Sequence, residues 1–71
     1  MKIGEKLVSL REKHSLSQIQ LANLSGVPVT TISGIENTNK IPRLETAAKI
    51  AKVFNLHAED LLTNEDSTLV S

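Results

Sequence analysis

The tripeptide Gly26-Val27-Pro28 constrains the fold of this chain more than any other feature, because it separates two short stretches of helical pattern. Gly26 can take a positive φ angle without steric penalty, which permits a tight corner at the end of a helix. Pro28 is expected to open the next helix, where a first-turn residue has no intrahelical hydrogen bond to donate. Five apolar residues fall where two steeply crossing helices would face each other: Leu21, Ala22, Val27, Ile32 and Ile35.

The residues around this corner predict where its two helices begin and end. Ser17 fits an N-cap and Gln20 completes a capping box, so the first helix is predicted at residues 18–25. The second helix is predicted at residues 28–37. Its outward residues are expected to be Val29, Thr30, Ser33 and Gly34. Two helices joined by a tight Gly-containing turn form the unit that lays its second helix in the major groove of DNA.

Another helix is predicted before this unit. Ile3, Leu7 and Leu10 recur at helical spacing, which predicts a helix at residues 2–13. Its end requires a residue that can turn the chain, often in a left-handed conformation, and Ser15 is expected to fill that place.

Two more helices are predicted after the unit, which makes the fold all-α. Pro42 is expected to open the fourth helix, and Asn55 can adopt the left-handed conformation that ends it. The inward residues of this helix are predicted to be Leu44, Ala47, Ala48, Ala51 and Phe54, with Ile50 at their margin. A short fifth helix at residues 57–62 would complete one domain, residues 1–63, followed by a flexible polar tail at residues 64–71.

The charges of the chain are divided between its two ends. The net charge is zero, which argues against indiscriminate binding to nucleic acid. Residues 1–54 nevertheless hold all eight basic residues and four acidic ones, whereas residues 55–71 hold four acidic residues and no basic one. This division is expected if one end of the domain faces phosphates, although chance in a short chain would also produce it.

Several other classes of protein are disfavoured. The chain has no cysteine, and His14 and His57 are far apart, so neither a disulfide framework nor a metal site is expected. No Gly-rich phosphate loop and no triad-like order of Ser, His and acid is present, so no catalytic residue and no cofactor is expected. The charged N-terminus lacks a signal-peptide core and no apolar run is long enough to cross a bilayer, which favours the cytoplasm.

Three consecutive segments resemble the Cro/repressor-type, or Xre-type, helix-turn-helix family over residues 3–62. They are IGEKLVSLREKHSLSQIQLA, SGVPVTTISGIEN and IPRLETAAKIAKVFNLHAEDLL. The resemblance implies a compact five-helix, lambda-repressor-like domain that binds double-stranded DNA. It further implies a transcriptional regulator, here expected to be a repressor that binds a palindromic operator as a homodimer.

The resemblance also implies roles for particular residues. Arg11 and Glu36 match a family pair that forms a largely buried salt bridge; two solvated surface charges are the alternative. Gln18 matches a phosphate contact at the start of the helix predicted at residues 18–25, although it could be an ordinary first-turn residue. The full set of expected DNA-binding residues is Gln18, Val29, Thr30, Thr31, Ser33, Gly34, Asn37, Asn39, Lys40 and Arg43.

The helix predicted at residues 28–37 would be the recognition helix, which enters the major groove of DNA. It departs from the family pattern, because many relatives carry Gln, Arg or Asn at its outward positions. Val29 could contact a thymine methyl group, and Thr30 and Ser33 could hydrogen-bond to any base. Gly34 reads no base but would let the helix approach closely. We therefore expect modest direct readout, with DNA shape contributing to specificity. Where the family often has Gly, this chain has Thr38, so the following loop is expected to be strained or altered.

A second hypothesis is a protein-interaction module of the same fold, such as an antitoxin or the partner of another regulator, with weak DNA binding. It is favoured by the zero net charge, by the recognition helix without Gln or Arg, and by the outward apolar residue Ile19. The expected dimer surface is the fifth helix with the loop before it. No ligand-binding domain follows the fifth helix, so no small-molecule effector is expected.

Overall fold

The computed structural model describes residues 2–62, and within that range it contains five α-helices and no strand. The helices are α1, Ile3–Lys13; α2, Gln18–Ser25; α3, Val29–Thr38; α4, Leu44–Val53; and α5, Ala58–Leu62. The all-α, five-helix prediction is thereby confirmed. The predicted tail at residues 64–71 lies outside the described residues. No helix within residues 2–62 has the length and apolar content needed to span a membrane.

Local hydrogen bonds and backbone angles fix the ends of α2 as predicted. The backbone N–H of Gln20 donates to Ser17 Oγ over 3.0 Å, and the Ser17 N–H donates to Gln20 Oε1 over 2.8 Å. This reciprocal pair is a capping box. At the other end Gly26 has φ 74°, and its N–H donates to the carbonyl of Ala22. The corner therefore forms from interactions within ten residues of sequence.

Two other helix ends also use left-handed residues where the sequence predicts them. Ser15, which follows α1, has φ 56°, and Asn55, which follows α4, has φ 59°. Asparagine tolerates this region because its short polar side chain can hydrogen-bond locally. Asn39, at the end of α3, has φ 59° as well, and this one was not predicted.

The hydrophobic core lies where the five helices meet. α3 packs against α1 and α2, while α4 packs against α2 and α5. Four of the five apolar residues predicted to face each other across the corner are buried, and the fifth, Ala22, is partly buried against them. The complete core comprises Ile3, Leu7, Leu21, Val27, Ile32, Ile35, Ala47, Ile50, Ala51, Phe54 and Leu61.

The prediction for α4 is wrong in its start and in part of its inward face. The helix begins at Leu44 with Arg43 as its N-cap, so Pro42 precedes the helix instead of opening it. Leu44 is 68% exposed, and Ala48 is exposed as well. Ile50, predicted at the margin, is fully buried. The buried positions follow the three- and four-residue spacing of one helix face.

The boundaries of α3 also differ from the prediction by one residue at each end. Pro28 is the N-cap, with φ −56° and ψ 141°, and the helix begins at Val29. The helix continues to Thr38, and the left-handed residue is Asn39. The loop after this helix was expected to be strained or altered because Thr38 replaces a glycine. The left-handed conformation that favours glycine falls instead on Asn39, and asparagine tolerates it.

Candidate nucleic-acid interface

The outward side of α3 is formed by the residues that the sequence singles out for DNA contact. The helix buries only Ile32 and Ile35. Val29 is 37% exposed, Thr30 and Asn37 are exposed, and three others are half-buried: Thr31, Ser33 and Gly34. The first two turns of α3 therefore present a small surface that an approaching duplex can reach.

The polar side chains toward the end of α3 bond within the helix. Asn37 Nδ2 donates to Ser33 Oγ over 3.0 Å, and Thr38 Oγ1 donates to the carbonyl of Gly34 over 2.6 Å. Asn37 is the only Asn, Gln, Arg or Lys on this helix, hence the only side chain suited to bidentate bonding of a base. The bond to Ser33 uses one N–H of the Asn37 amide, and Thr30 supplies an exposed hydroxyl nearer the start of the helix.

Gly34 lies in the interior of α3 without any packing reason inside the domain. A Cβ atom added there would have no heavy atom within 4 Å. A glycine in a helix interior is less favourable than alanine by about 1 kcal/mol. The absence of a side chain at this point thus leaves the helix backbone approachable from outside.

A largely buried ion pair joins α1 and α3, next to the start of α2. Arg11 Nε donates to Glu36 Oε2 over 2.7 Å, and Arg11 Nη2 donates to Glu36 Oε1 over 3.0 Å. The Glu36 side chain is 4% exposed and that of Arg11 is 15% exposed. The hydrogen bond to Glu36 raises the pKa of the Arg11 guanidinium, outweighing the opposing effect of burial. Arg11 therefore stays charged wherever the domain is folded.

Gln18 shares the carboxylate of this pair, which the sequence did not indicate. Its Nε2 donates to Glu36 Oε1 over 2.9 Å, so the side chain is held in one orientation at the first position of α2. The first backbone N–H groups of a helix have no intrahelical partner and carry the positive end of the helix dipole. This helix start is therefore oriented in a way that suits a phosphate oxygen.

Asn39 is tied to α1 through an unexpectedly close approach of two helices. Gly4 donates its backbone N–H to Asn39 Oδ1 over 3.0 Å. A Cβ atom added to Gly4 would lie 2.6 Å from that oxygen, 2.7 Å from the carbonyl oxygen of Glu36 and 2.8 Å from that of Ile35. The side-chain oxygen of Asn39, a residue predicted to contact DNA, thus faces α1, and Gly4 is required by packing.

Two basic residues predicted to bind DNA, Lys40 and Arg43, follow α3 and lie next to it. Lys40 and Arg43 are exposed, and with Thr31 they border one concavity of about 170 Å³. The loop also exposes the apolar side chains of Ile41 and Leu44, by 67% and 68%. The concavity places two cations beside α3, as a surface for a phosphate backbone requires.

The two histidines occupy helix ends. The ring of His14 lies 5.0 Å from that of Phe54, and the backbone N–H of His57 donates to Asp60 Oδ2 over 2.9 Å. Among residues 2–62 no group of three or more His, Cys, Asp or Glu side chains is placed to hold a metal ion.

Comparison with known proteins places this geometry in a family. The helix-turn-helix family model named HTH_3 matches residues 7–61. An uncharacterized HTH-type transcriptional regulator of Methanocaldococcus jannaschii is 43% identical over 61 residues, which cover 86% of this chain and 92% of that protein. The HTH-type transcriptional repressor RghR of Bacillus subtilis is 40% identical over 60 residues, covering 83% of this chain and 44% of that protein.

The fold matches a solved DNA-binding domain as well. The N-terminal DNA binding domain of SinR from Bacillus subtilis superimposes with a TM-score of 0.81 at 25% identity, covering 89% of this chain and 93% of that one. The family consists of regulators and not of enzymes. The chain belongs to the Xre/Cro-type helix-turn-helix family, and it is a DNA-binding transcriptional regulator.

Proposed function

We propose that this protein is a repressor that acts in the cytoplasm by binding a palindromic operator as a homodimer. The observation that carries the proposal is the start of α3, where Thr30 is exposed and Val29 is 37% exposed. The DNA contacts proposed for α3 and for the parts of the chain beside it are those of Gln18, Val29, Thr30, Thr31, Ser33, Gly34, Asn37, Asn39, Lys40 and Arg43. A protein seated on an operator represses by excluding other proteins from the same DNA.

The length of α3 supports a dimer. Its ten residues rise about 15 Å along the helix axis, which is the length of about four base pairs. Two copies on half-sites about 34 Å apart would double the sequence that is read. The seam proposed for α5 and the loop before it would use the partly buried Leu56 and Leu62, since Leu61 is 1% exposed and belongs to the core.

The variant Thr30→Glu is expected to lower specific DNA affinity by about tenfold or more, because it places a carboxylate against the electronegative major groove of DNA. Circular dichroism should show an unchanged fold, since position 30 is exposed. Ala48→Glu adds the same charge at an exposed position of α4 and is the matched control. Gel shifts on a site selected from random duplex DNA measure the effect, and unchanged affinity of Thr30→Glu would refute the proposal.

Salt dependence tests the phosphate contacts of the α3–α4 loop. Lys40→Gln and Arg43→Gln should each reduce the slope of log affinity against log salt concentration by about 1, because one fewer counterion is released. Lys49→Gln removes an exposed charge from α4 and should leave the slope unchanged. If Lys40→Gln and Arg43→Gln keep the slope of the unaltered protein, as Lys49→Gln should, this loop does not contact phosphates.

The protein-interaction module remains the second candidate, and one observation favours it. Ile19 and Leu24 on α2 are 64% and 62% exposed, so two large apolar side chains of this helix are available to a partner protein. A protein captured from host lysate by a salt-insensitive interaction, with no DNA retained, would favour this role. Loss of that capture in Ile19→Ser and Leu24→Ser variants would locate it on α2.

A further inference from the structure

We propose that residues 63–71 bind, within the same molecule, to a surface formed by Lys40, Ile41, Arg43 and Leu44, and that they compete there with DNA. This surface, here named the loop surface, would be closed to phosphates while the segment occupies it. The competition rests on the phosphate contacts proposed for Lys40 and Arg43, whereas the binding of residues 63–71 does not.

The loop surface combines positive charge with apolar area. Lys40 and Arg43 are exposed, and with Ile41 they line the concavity of about 170 Å³ beside α3. Ile41 and Leu44 are 67% and 68% exposed, more than any other large apolar side chain within residues 2–62. Phosphate contacts need the two cations and not the two apolar side chains. The loop surface therefore has an apolar component that DNA binding does not explain.

Residues 63–71 have a composition that matches both components. The segment carries two acidic residues, Glu65 and Asp66, and no basic one, and the apolar residues Leu69 and Val70 follow. The carboxylates are attracted to the two cations of the loop surface. The apolar pair would be removed from water against the exposed apolar side chains, which is favourable.

The end of α5, after which the segment begins, lies close to the loop surface because α1 contacts both. Lys6 Nζ donates to the carbonyl of Asp60 over 3.0 Å, and the Gly4 N–H donates to Asn39 Oδ1 over 3.0 Å. A single turn of α1 therefore separates α5 from the residue that precedes the loop surface. Nine residues span up to about 30 Å when fully extended, so the segment is long enough to bind within its own molecule.

Two other concavities of the domain match the segment less well. Glu5 and Glu12, both exposed, line the concavity beside α1, and their carboxylates would repel an acidic segment. The concavity between α2 and the start of α3 is lined by uncharged residues, so it offers no partner for the two acidic side chains. Charge therefore favours the loop surface.

A nitroxide attached to the variant Ser67→Cys tests the binding, because the chain has no native cysteine that would also react. In NMR spectra of the ¹⁵N-labelled protein, the amide signals of residues 40–44 should lose intensity relative to those of the reduced, diamagnetic label. The signals of residues 19–25 should not. Adding Ile41→Ser/Leu44→Ser to the labelled protein should restore the intensities. Leu24→Ser removes an exposed apolar side chain from α2 and should not restore them.

A mixture of two preparations tests whether the contact forms within one molecule. One preparation carries the nitroxide but no ¹⁵N, and the other carries ¹⁵N but no nitroxide. The signals of residues 40–44 should keep their intensity in this mixture. A loss of intensity there would place the segment on a second molecule and would overturn the proposal.

DNA affinity tests the competition. We expect the loop surface to be free in about 20% of molecules, which lowers the apparent affinity for DNA about fivefold. Glu65→Gln/Asp66→Asn and Leu69→Ser/Val70→Ser should therefore each raise the affinity for duplex DNA about fivefold, as measured by fluorescence anisotropy. The second variant keeps every charge, so its gain cannot arise from weaker repulsion between the protein and DNA.

The outcomes separate this proposal from operator binding. Unchanged intensities at residues 40–44 of the labelled protein would overturn the proposal, and this measurement needs no DNA. If the intensities fall but neither segment variant gains affinity for DNA, the competition is overturned. If no operator can be selected from random DNA, the proposed function fails, and the intensities still decide whether residues 63–71 bind the loop surface.

Discussion

Replacing Arg11 by methionine is expected to lower the free energy of unfolding by about 3–5 kcal/mol. The substitution removes the guanidinium from a carboxylate that is 4% exposed, so Glu36 keeps only the single hydrogen bond from Gln18. Arg11 Nη1 also donates to the carbonyl of Leu16 over 2.8 Å, and that bond to the α1–α2 loop would be lost. Urea denaturation, followed by circular dichroism at about 222 nm, where helices absorb, measures this loss in the free energy of unfolding.

The double variant Arg11→Met/Glu36→Leu supplies the matched control. It removes both charges and leaves apolar groups of similar size, an exchange that is often neutral for stability. We therefore expect it to be more stable than Arg11→Met alone. If Arg11→Met is as stable as the unaltered protein, the pair contributes nothing; if the double variant is no more stable than the single one, the stranded charge is not the cause. Because the pKa of Arg11 is raised, its contribution is present below the ordinary arginine pKa and is lost only above it, in strong alkali.

The Gly4→Ala substitution is expected to lower the free energy of unfolding by about 3 kcal/mol, the upper part of the range for overpacking. Its Cβ atom would approach two backbone carbonyl oxygens and one side-chain oxygen to less than 3.0 Å. The carbonyls of Ile35 and Glu36 are part of the α3 backbone, so the clash is relieved only if α1 shifts away from α3. Such a shift would also lengthen the bond from the Gly4 N–H to Asn39 Oδ1.

Gly34→Ala is the matched control for Gly4→Ala, because both glycines are helical. At position 34 the added atom meets nothing within 4 Å, so only the gain in helix propensity remains. This variant should be more stable than the unaltered protein by about 1 kcal/mol. The midpoint temperatures of thermal unfolding should therefore shift in opposite directions, downward for Gly4→Ala and upward for Gly34→Ala. A stable Gly4→Ala protein would contradict the packing described at the α1–α3 contact.

The features that sequence predicts well here are those determined by neighbouring residues. The capping box of Ser17 and Gln20 and the left-handed Gly26 depend on bonds that reach at most four residues, so their patterns are readable from the chain. The predictions fail where the partner is distant. Leu44 is apolar and has helical spacing, yet it is 68% exposed, because burial depends on which distant residues pack against it.

The candidate site shows the same limit. Its outward residues on α3 follow from helical periodicity, but the bonds of Gln18 to Glu36 and of Gly4 to Asn39 join residues 18 and 35 positions apart. Neither was predicted. Gly4 carried one usable signal, because glycine is an unfavourable residue inside a helix and needs a compensating contact. The sequence alone does not tell which helix supplies that contact.

Gly34 places two kinds of selection in opposition. A laboratory screen for heat resistance would favour alanine at this position, because a methyl group there would not clash with any other part of the domain. A screen for operator occupancy would keep the glycine, if the duplex comes as near to the helix backbone as we propose. If a thermostabilised variant of this regulator loses DNA affinity, position 34 should accordingly be the first one checked.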